Sequence, residues 1–128
     1  MTIIYQIDRY AERIETQCIG DVTPEEVLEH FRELEAHPEL PKRLDVFLDL
    51  ERLTSIPNSD QIRDVSFEVD RLKATVEWGA CAILATSDIV FGISRVFEVF
   101  TEGLFSRTRV FRDREEARRW LDDPTQST

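Results

Sequence analysis

The sequence has few of the features that mark disulfide-bonded, membrane-spanning or secreted proteins. Its 128 residues include two cysteines, Cys18 and Cys81, which form no C-x-x-C pair. Both lie in apolar, strand-like runs, so we expect buried free thiols rather than a disulfide or a metal site. No run approaches the ~20 apolar residues of a membrane span, and MTIIYQIDRY does not resemble a signal peptide. These absences predict a soluble, cytoplasmic protein.

Positive charge is also scarce. The chain carries 26 acidic and 16 basic side chains, for a net charge of −10, which argues against nucleic acid as a partner because phosphates would be repelled. The segment 104–121 is an exception with six arginines: Arg107, Arg109, Arg112, Arg114, Arg118 and Arg119. We interpret it as a solvated helix face with pairs such as Glu115–Arg119, in preference to an anion-facing patch.

Catalytic motifs are missing as well. The sequence contains no GxGxxG, P-loop, GxSxG or HExxH pattern. His30 falls off the apolar face of the first predicted helix and His37 at its end, so we expect both on the surface. Asp49 follows a buried strand, where it could be a poised acid or could cap the following turn; we favour the cap. The sequence therefore predicts no enzyme, no catalytic residue, no metal site and no cofactor.

What the sequence does contain is a regular alternation of strands and helices. The Thr23-Pro24-Glu25-Glu26 stretch has the signature of a helix start with a capping box. The order β-β-α-β-α-β-α-β-α predicts one α/β domain over residues 1–128, with a mixed, mostly parallel five-stranded sheet and four helices. The predicted strands cover 2–8, 12–19, 44–50, 78–86 and 108–111; the later helices cover 59–76, 88–104 and 113–121, followed by a frayed tail at 122–128.

The third helix has an unusually wide apolar side. At about 100° per residue, its apolar arc is wide enough to cover a sheet and leave surface over, while Gly92 and Gly103 at one edge permit close approach of another surface. Phe91 and Phe105 are predicted to point toward the polar side. The face could be core, a subunit interface or the wall of an apolar pocket. The predicted apolar arc is Ile89, Val90, Ile93, Val96, Phe97, Val99, Phe100 and Leu104; the predicted polar arc is Ser94, Arg95, Glu98, Thr101 and Glu102.

The second helix carries one apolar side chain on its expected solvent side. Its inward positions step by three and four residues from Ile62 to Val76. Phe67 lies almost opposite Val65 and Val69, which suggests a contact surface, although singly exposed apolar residues are common.

Three segments carry a family resemblance: VFLDLERLTSIPNSDQI, FGISRVFE and VFRDREEARRWL. With the order of elements, they resemble the SpoIIAA-like branch of the STAS/SEC14-type proteins over roughly Ile3 to Leu121. The STAS side implies a non-enzymatic regulatory or interaction module, with Phe67 and Phe91 in a protein interface. The SEC14 side implies instead a carrier or sensor of a small hydrophobic, lipid-like ligand, in a pocket walled by Val90, Phe97, Phe100 and Leu104.

The resemblance also assigns a meaning to the turn before the second helix. STAS proteins that antagonise anti-sigma factors carry Asp-Ser-Ser/Thr-Gly there, and a serine is phosphorylated. Pro57, Asn58, Ser59 and Asp60 fall on those positions, and only Ser59 keeps the chemistry. A phosphate on Ser59 would meet the negative charges of Asp60 and Asp64. We therefore expect a degenerate switch turn in which Asn58 or Ser59 is the N-cap.

The spare apolar surface predicts association. A homodimer is the expected assembly, because uncovered apolar helix surface most often meets a copy of itself. A protein partner, a small hydrophobic ligand and peripheral contact with a membrane are the other interactions that the sequence leaves open.

Overall fold

The computed structural model describes residues 2–123 and shows an α/β sheet structure. Of the predicted frayed tail, Asp122 belongs to the last helix, and residues 124–128 lie outside the described range. The strands are β1 (Thr2–Asp8), β2 (Arg13–Ile19), β3 (Arg43–Asp49), β4 (Glu77–Leu84) and β5 (Arg107–Phe111). The helices are α1 (Pro24–Glu35), α2 (Ser59–Arg71, continued by a 3₁₀ turn at Leu72–Ala74), α3 (Asp88–Phe100) and α4 (Arg114–Asp122). The predicted order of elements is confirmed.

The five strands form one sheet in the order β1-β2-β3-β4-β5. The β1–β2 hairpin is antiparallel, and β2 to β5 run parallel. Each parallel strand lies beside its predecessor, so three right-handed crossovers advancing in one direction place α1, α2 and α3 on the same face. The core on that face includes Phe31, Val69 and Val90. The other face packs against α4 through residues such as Phe47 and Trp120.

The helix starts follow from their capping residues. The Thr23 hydroxyl accepts from the Glu26 N–H, and the Glu26 carboxylate accepts from the Thr23 N–H, with Pro24 at the first helical position. The predicted capping box is therefore confirmed. The two hydrogen bonds of this capping box satisfy two N–H groups that have no partner within the helix.

Helix α3 ends at Phe100, before the predicted end at Leu104. The Thr101 hydroxyl donates to the Phe97 carbonyl (2.8 Å), and the chain then turns through Gly103 at φ +85°. Gly103 is thus needed for the turn and is not part of the helix. Phe105, predicted to point toward the polar side, is buried, with its ring centroid 5.4 Å from that of Trp78.

The surface prediction for His30 is wrong. Its side chain is buried between α1 and β1, with the ring centroid 5.1 Å from that of Tyr5. Burial lowers the pKa of His30 to about 4. The sequence pattern missed this contact because β1 extends the sheet past the apolar stripe of α1 and covers the neighbouring helix positions.

Both cysteines are free, as predicted. Cys81 is fully buried and Cys18 is half-buried. Burial raises the pKa of the Cys18 thiol to about 11 and that of Cys81 further still. Both side chains therefore remain protonated thiols at neutral pH, which makes them poor nucleophiles and poor metal ligands.

Candidate functional site

Helix α3 has one side on the sheet and one side in solvent, and both contain apolar residues. On the inner side, Val90, Ser94 and Thr101 are buried, at the four- and seven-residue spacings of one helix face. Phe97 lies between them and packs against Phe105, with ring centroids 6.5 Å apart.

On the outer side, three aliphatic side chains are exposed to solvent. Ile89 is 62% exposed, Val96 38% and Val99 69%. Gly92 lies among them on the same face, and a Cβ built on it meets no atom within 4 Å. We call Ile89, Gly92, Val96 and Val99 the outer α3 face. The prediction that the apolar arc exceeds what the sheet can cover is confirmed.

The predicted polar arc of α3 is partly wrong. Arg95 and Glu102 are exposed, but Ser94 and Thr101 are 3% and 1% exposed. The helix is rotated so that one margin of its apolar arc and two small hydroxyl residues face the sheet. Within the described residues the Ser94 hydroxyl has no hydrogen-bond partner. An unpaired buried hydroxyl costs about 1–3 kcal/mol, so the contact between α3 and the sheet stabilises the fold less than a contact made by the apolar arc alone would.

Stacked arginines lie on both flanks of the outer α3 face. On the α2 flank, the Arg63 guanidinium lies 5.7 Å from the centroid of the Phe100 ring. Phe67 follows Arg63 by one helical turn and is 60% exposed, as predicted. On the β5 flank, the Arg112 guanidinium lies 4.3 Å from the centroid of the half-buried Phe91 ring. The two arginines thus border an uncharged surface.

The residues predicted to wall an apolar pocket take different positions. Val90 is buried in the core, and the half-buried Phe97 and Leu104 pack against that core. One surface depression of about 550 Å³ is lined by Leu104, Trp78 and Val76 and by the charged residues Lys42, Lys73 and Glu77. A second, of about 290 Å³, lies beside the end of α3. Neither has Val90, Phe97 or Phe100 in its wall.

The predicted switch turn is a helix cap. Asn58 is the N-cap of α2: its side chain accepts from the Gln61 N–H (2.9 Å), and the Gln61 side chain accepts from the Asn58 N–H (2.8 Å). Ser59 is the exposed first residue of α2, and the exposed Asp60 pairs with Arg63 at 3.3 Å. The N-cap prediction is confirmed, with Asn58 as the capping residue.

Asp49 caps the turn after β3, as predicted. Its buried carboxylate accepts from the Glu51 N–H (3.0 Å) and from the guanidinium of Arg114 (2.7 Å). The hydrogen bond that Arg114 donates to Asp49 raises the pKa of Arg114. This carboxylate is therefore held in place by two donors, one on the backbone and one on α4.

Several arginines of segment 104–121 contact distant elements, which the preferred interpretation as an i,i+4-paired helix face did not include. Arg114 reaches Asp49 on β3, and Arg118 makes two bonds to Glu15 on β2 (3.0 and 3.1 Å). Arg107 lies 3.9 Å from the centroid of the Trp120 ring. Sequence spacing could not reveal these partners because they are more than sixty residues away or on another element.

Within residues 2–123, no three His, Cys, Asp or Glu side chains are grouped so that they could hold a metal ion. In the same range, every helix is too short or too polar to cross a membrane.

The fold and the surface together define a class of protein: an α/β module with one uncovered apolar helix face. The sequence profile of the SpoIIAA-like family matches residues 13–122, and the chain belongs to this family. Its fold is similar to that of an uncharacterized protein of the DUF3478 family with a SpoIIAA-like fold from Shewanella loihica PV-4. The TM-score is 0.60 at 17% identity, and the match covers 94% of this chain and 92% of the other. No curated protein matches the sequence. Family membership supports a regulatory or interaction role in general.

Proposed function

We propose that this protein is a cytoplasmic, non-enzymatic regulatory module of the STAS type that docks another protein on the outer α3 face. The single observation that carries the proposal is the exposure of Ile89, Val96 and Val99 on one helix face. Phe67 on the neighbouring helix extends this surface. The partners we propose include a second copy of the chain.

The energetics of α3 support a docking role. Burial of apolar surface yields about 25 cal/mol per Å², and α3 leaves three aliphatic side chains in water while burying Ser94 without a partner. A helix that served only the core would gain by presenting its aliphatic side to the sheet. The observed orientation is explained if a second surface covers the outer side.

The charge around the docking surface supports a protein partner. The chain has a net charge of −10, yet the outer α3 face is uncharged and Arg63 and Arg112 stack on its flanks. A centre depleted of charge, with arginine and aromatic residues beside it, is typical of protein interfaces.

Phosphorylation is not part of the proposed mechanism. The Asn58 and Gln61 side chains already satisfy two of the N–H groups at the start of α2, and Asp60 places a carboxylate there. A phosphate on Ser59 would find like charge and few free donors. We propose that the turn inherited the position of a switch without its chemistry.

A second candidate function is the binding of a small amphiphilic anion, consistent with the SEC14 side of the family resemblance. The depression lined by Trp78 and Leu104 also contains two lysines, Lys42 and Lys73, against one carboxylate, Glu77. Native mass spectrometry of freshly purified protein tests it. A noncovalent adduct that is lost on denaturation, and that Lys42→Glu abolishes, would support ligand carriage; a clean protein mass would count against it.

The docking proposal is tested with Val99→Asp. Proteins captured by the wild-type chain are identified and purified, and their affinity for wild type and variant is measured by calorimetry. We expect Val99→Asp to weaken binding by at least about tenfold, because it places a charge in an apolar contact. Tyr10→Asp is the matched control, since Tyr10 is fully exposed at the β1–β2 turn. Equal affinities of Val99→Asp and wild type for every purified partner would overturn the proposal.

A further inference from the structure

We propose that the outer α3 face binds the same face of a second copy, with the two α3 helices antiparallel about a twofold axis that passes beside Val96. This inference rests on the proposed docking role of that face and names its partner. Its evidence is the position of Gly92, the spacing of the exposed side chains and the charges beside them.

Gly92 lies inside α3, and no contact among residues 2–123 requires a glycine at this position. Glycine destabilises a helix interior relative to alanine, and it is retained where a turn, a positive φ or close packing requires it. At Gly92 the backbone is helical, and a Cβ would point into open space. The requirement for a missing side chain is therefore intermolecular: another helix approaches closely at this position.

The spacing of the outer face favours a copy of the same helix in antiparallel orientation. With the axis at Val96, Gly92 of one copy lies opposite Phe100 of the other, because four residues separate each from the axis, and Val99 is one residue from that point. The most exposed side chain of the face, Val99 at 69%, then enters the space that Gly92 leaves open. In a parallel pair Gly92 would face Gly92 and Val99 would face Val99, which leaves a gap beside a clash.

The charges beside this face are also self-complementary. Arg95 and Glu98 lie on one flank and pair within the chain at 3.0 Å. In the antiparallel arrangement Arg95 lies within one residue of the position opposite Glu98 of the second copy, so the long side chains can pair and four alternating charges meet with no net charge. Elsewhere the two copies, each with a net charge of −10, repel one another. The dimer should therefore tighten as salt screens this repulsion.

Cysteine crosslinking tests the arrangement. Val96→Cys should form a covalent dimer on oxidation, because the axis brings the two copies of this side chain together. Gly92→Cys and Val99→Cys should crosslink more when mixed than when each is alone, because in the mixed pair one disulfide takes the place of one Val99 side chain beside Gly92 and the symmetry-related contact is unchanged. Tyr10→Cys is the control for random collision, and wild type controls for Cys18 and Cys81. Crosslinking of Val99→Cys with itself but not with Gly92→Cys would show a parallel pair and overturn the proposal.

Sedimentation equilibrium of wild type and Gly92→Ala gives a second readout that does not depend on crosslinks. We expect Gly92→Ala to melt at a higher temperature as a monomer, since the Cβ meets nothing, and to dimerise at least about tenfold more weakly. Unchanged dimerisation of Gly92→Ala, or a wild type that stays monomeric into the millimolar range, would overturn the inference. The docking proposal would then still be judged separately by the effect of Val99→Asp on purified partners.

Discussion

Helices α3 and α4 both cover the sheet, one on each face, and they do so in opposite ways. Helix α4 buries its large apolar residues, Trp120 and Leu121, and two of its arginines, Arg114 and Arg118, form ion pairs with β3 and β2. Helix α3 buries a serine and a threonine and leaves Ile89 and Val99 in water. Helix α4 therefore buries its apolar side chains within a single chain, whereas α3 leaves part of its apolar surface exposed to solvent.

The largest expected change in the free energy of unfolding comes from a substitution in α4. Trp120 is buried, its ring centroid lies 5.5 Å from that of Phe111, and Arg107 stacks on it. We expect Trp120→Ala to lower the free energy of unfolding by about 3–5 kcal/mol. Val99→Ala on α3 is the contrast and should change it by less than about 0.5 kcal/mol. Urea denaturation measures the free energy of unfolding of both variants. Similar losses would contradict the claim that Trp120 is buried in the core and Val99 is exposed to solvent.

Helix α1 extends the comparison to a buried titratable group. The pKa of His30 is lowered from 6.5 to about 4 by burial, so between these values the unfolded chain binds a proton that the folded chain does not. The contribution of His30 to the free energy of unfolding is therefore constant above pH 6.5, falls as the pH drops through this window and levels off below about 4, with a total loss on the order of 3 kcal/mol.

The measurement is the urea midpoint of wild type and His30→Phe at pH 7 and pH 5. The variant should lose less stability between the two, since it has no proton to gain at this position. Tyr5, Glu33 and His37 also lie near this contact or act on Tyr5, and they are retained in both proteins. Parallel pH profiles of the two proteins would contradict the prediction.

An ion pair of α4 gives the next effect. Arg114→Gln removes the guanidinium that neutralises Asp49, whose side chain is 7% exposed. We expect a loss of about 2 kcal/mol, less than for a fully buried pair because the Arg114 side chain is 40% exposed and water can replace part of the contact. Arg109→Gln is the matched control, since Arg109 is an exposed arginine in the preceding strand. Thermal melts should show a lower melting temperature for Arg114→Gln than for Arg109→Gln. Equal melting temperatures would show that the ion pair between Arg114 and Asp49 does not stabilise the fold.

The smallest expected effect is an increase in the free energy of unfolding, from a substitution between α3 and the sheet. Ser94→Ala removes a buried hydroxyl without a partner, and we expect it to raise the free energy of unfolding by about 1 kcal/mol. Thr101→Ala should lower it, because the Thr101 hydroxyl donates to the Phe97 carbonyl at 2.8 Å. If Ser94→Ala destabilised the protein as much as Thr101→Ala does, the buried Ser94 hydroxyl would be stabilising. The claim that α3 packs less favourably on the sheet than α4 would then be wrong.

The sequence predicted the fold well because each element carries a strong local signal. The capping box at Thr23, the uninterrupted run of β4 and the three- and four-residue steps of α2 are all properties of neighbouring residues. The outer α3 face was partly predictable for the same reason, since an apolar arc wider than the sheet requires is visible in the spacing. Phe67 was predicted to be exposed from its position opposite Val65 and Val69.

The remaining errors concern contacts that local spacing does not contain. The burial of Ser94 depends on how α3 is rotated against the sheet, which α2 and β5 decide. His30 is buried because β1 extends the sheet beyond α1. The partners of Arg114 and Arg118 come from strands early in the chain. Each of these is a property of the assembled layers and not of the segment itself.

The sequential strand order has a consequence for how the chain folds during synthesis. Each new strand can add to the edge left by the previous one, so no segment has to wait for a distant partner to pair with. Such local pairing lowers the entropy lost in loop closure and favours fast folding from the N-terminus. The exception is the face of the sheet that holds Phe47 and Phe111, which packs against α4. A nascent chain halted before Trp120 would present this face bare, and chaperone recognition is expected there.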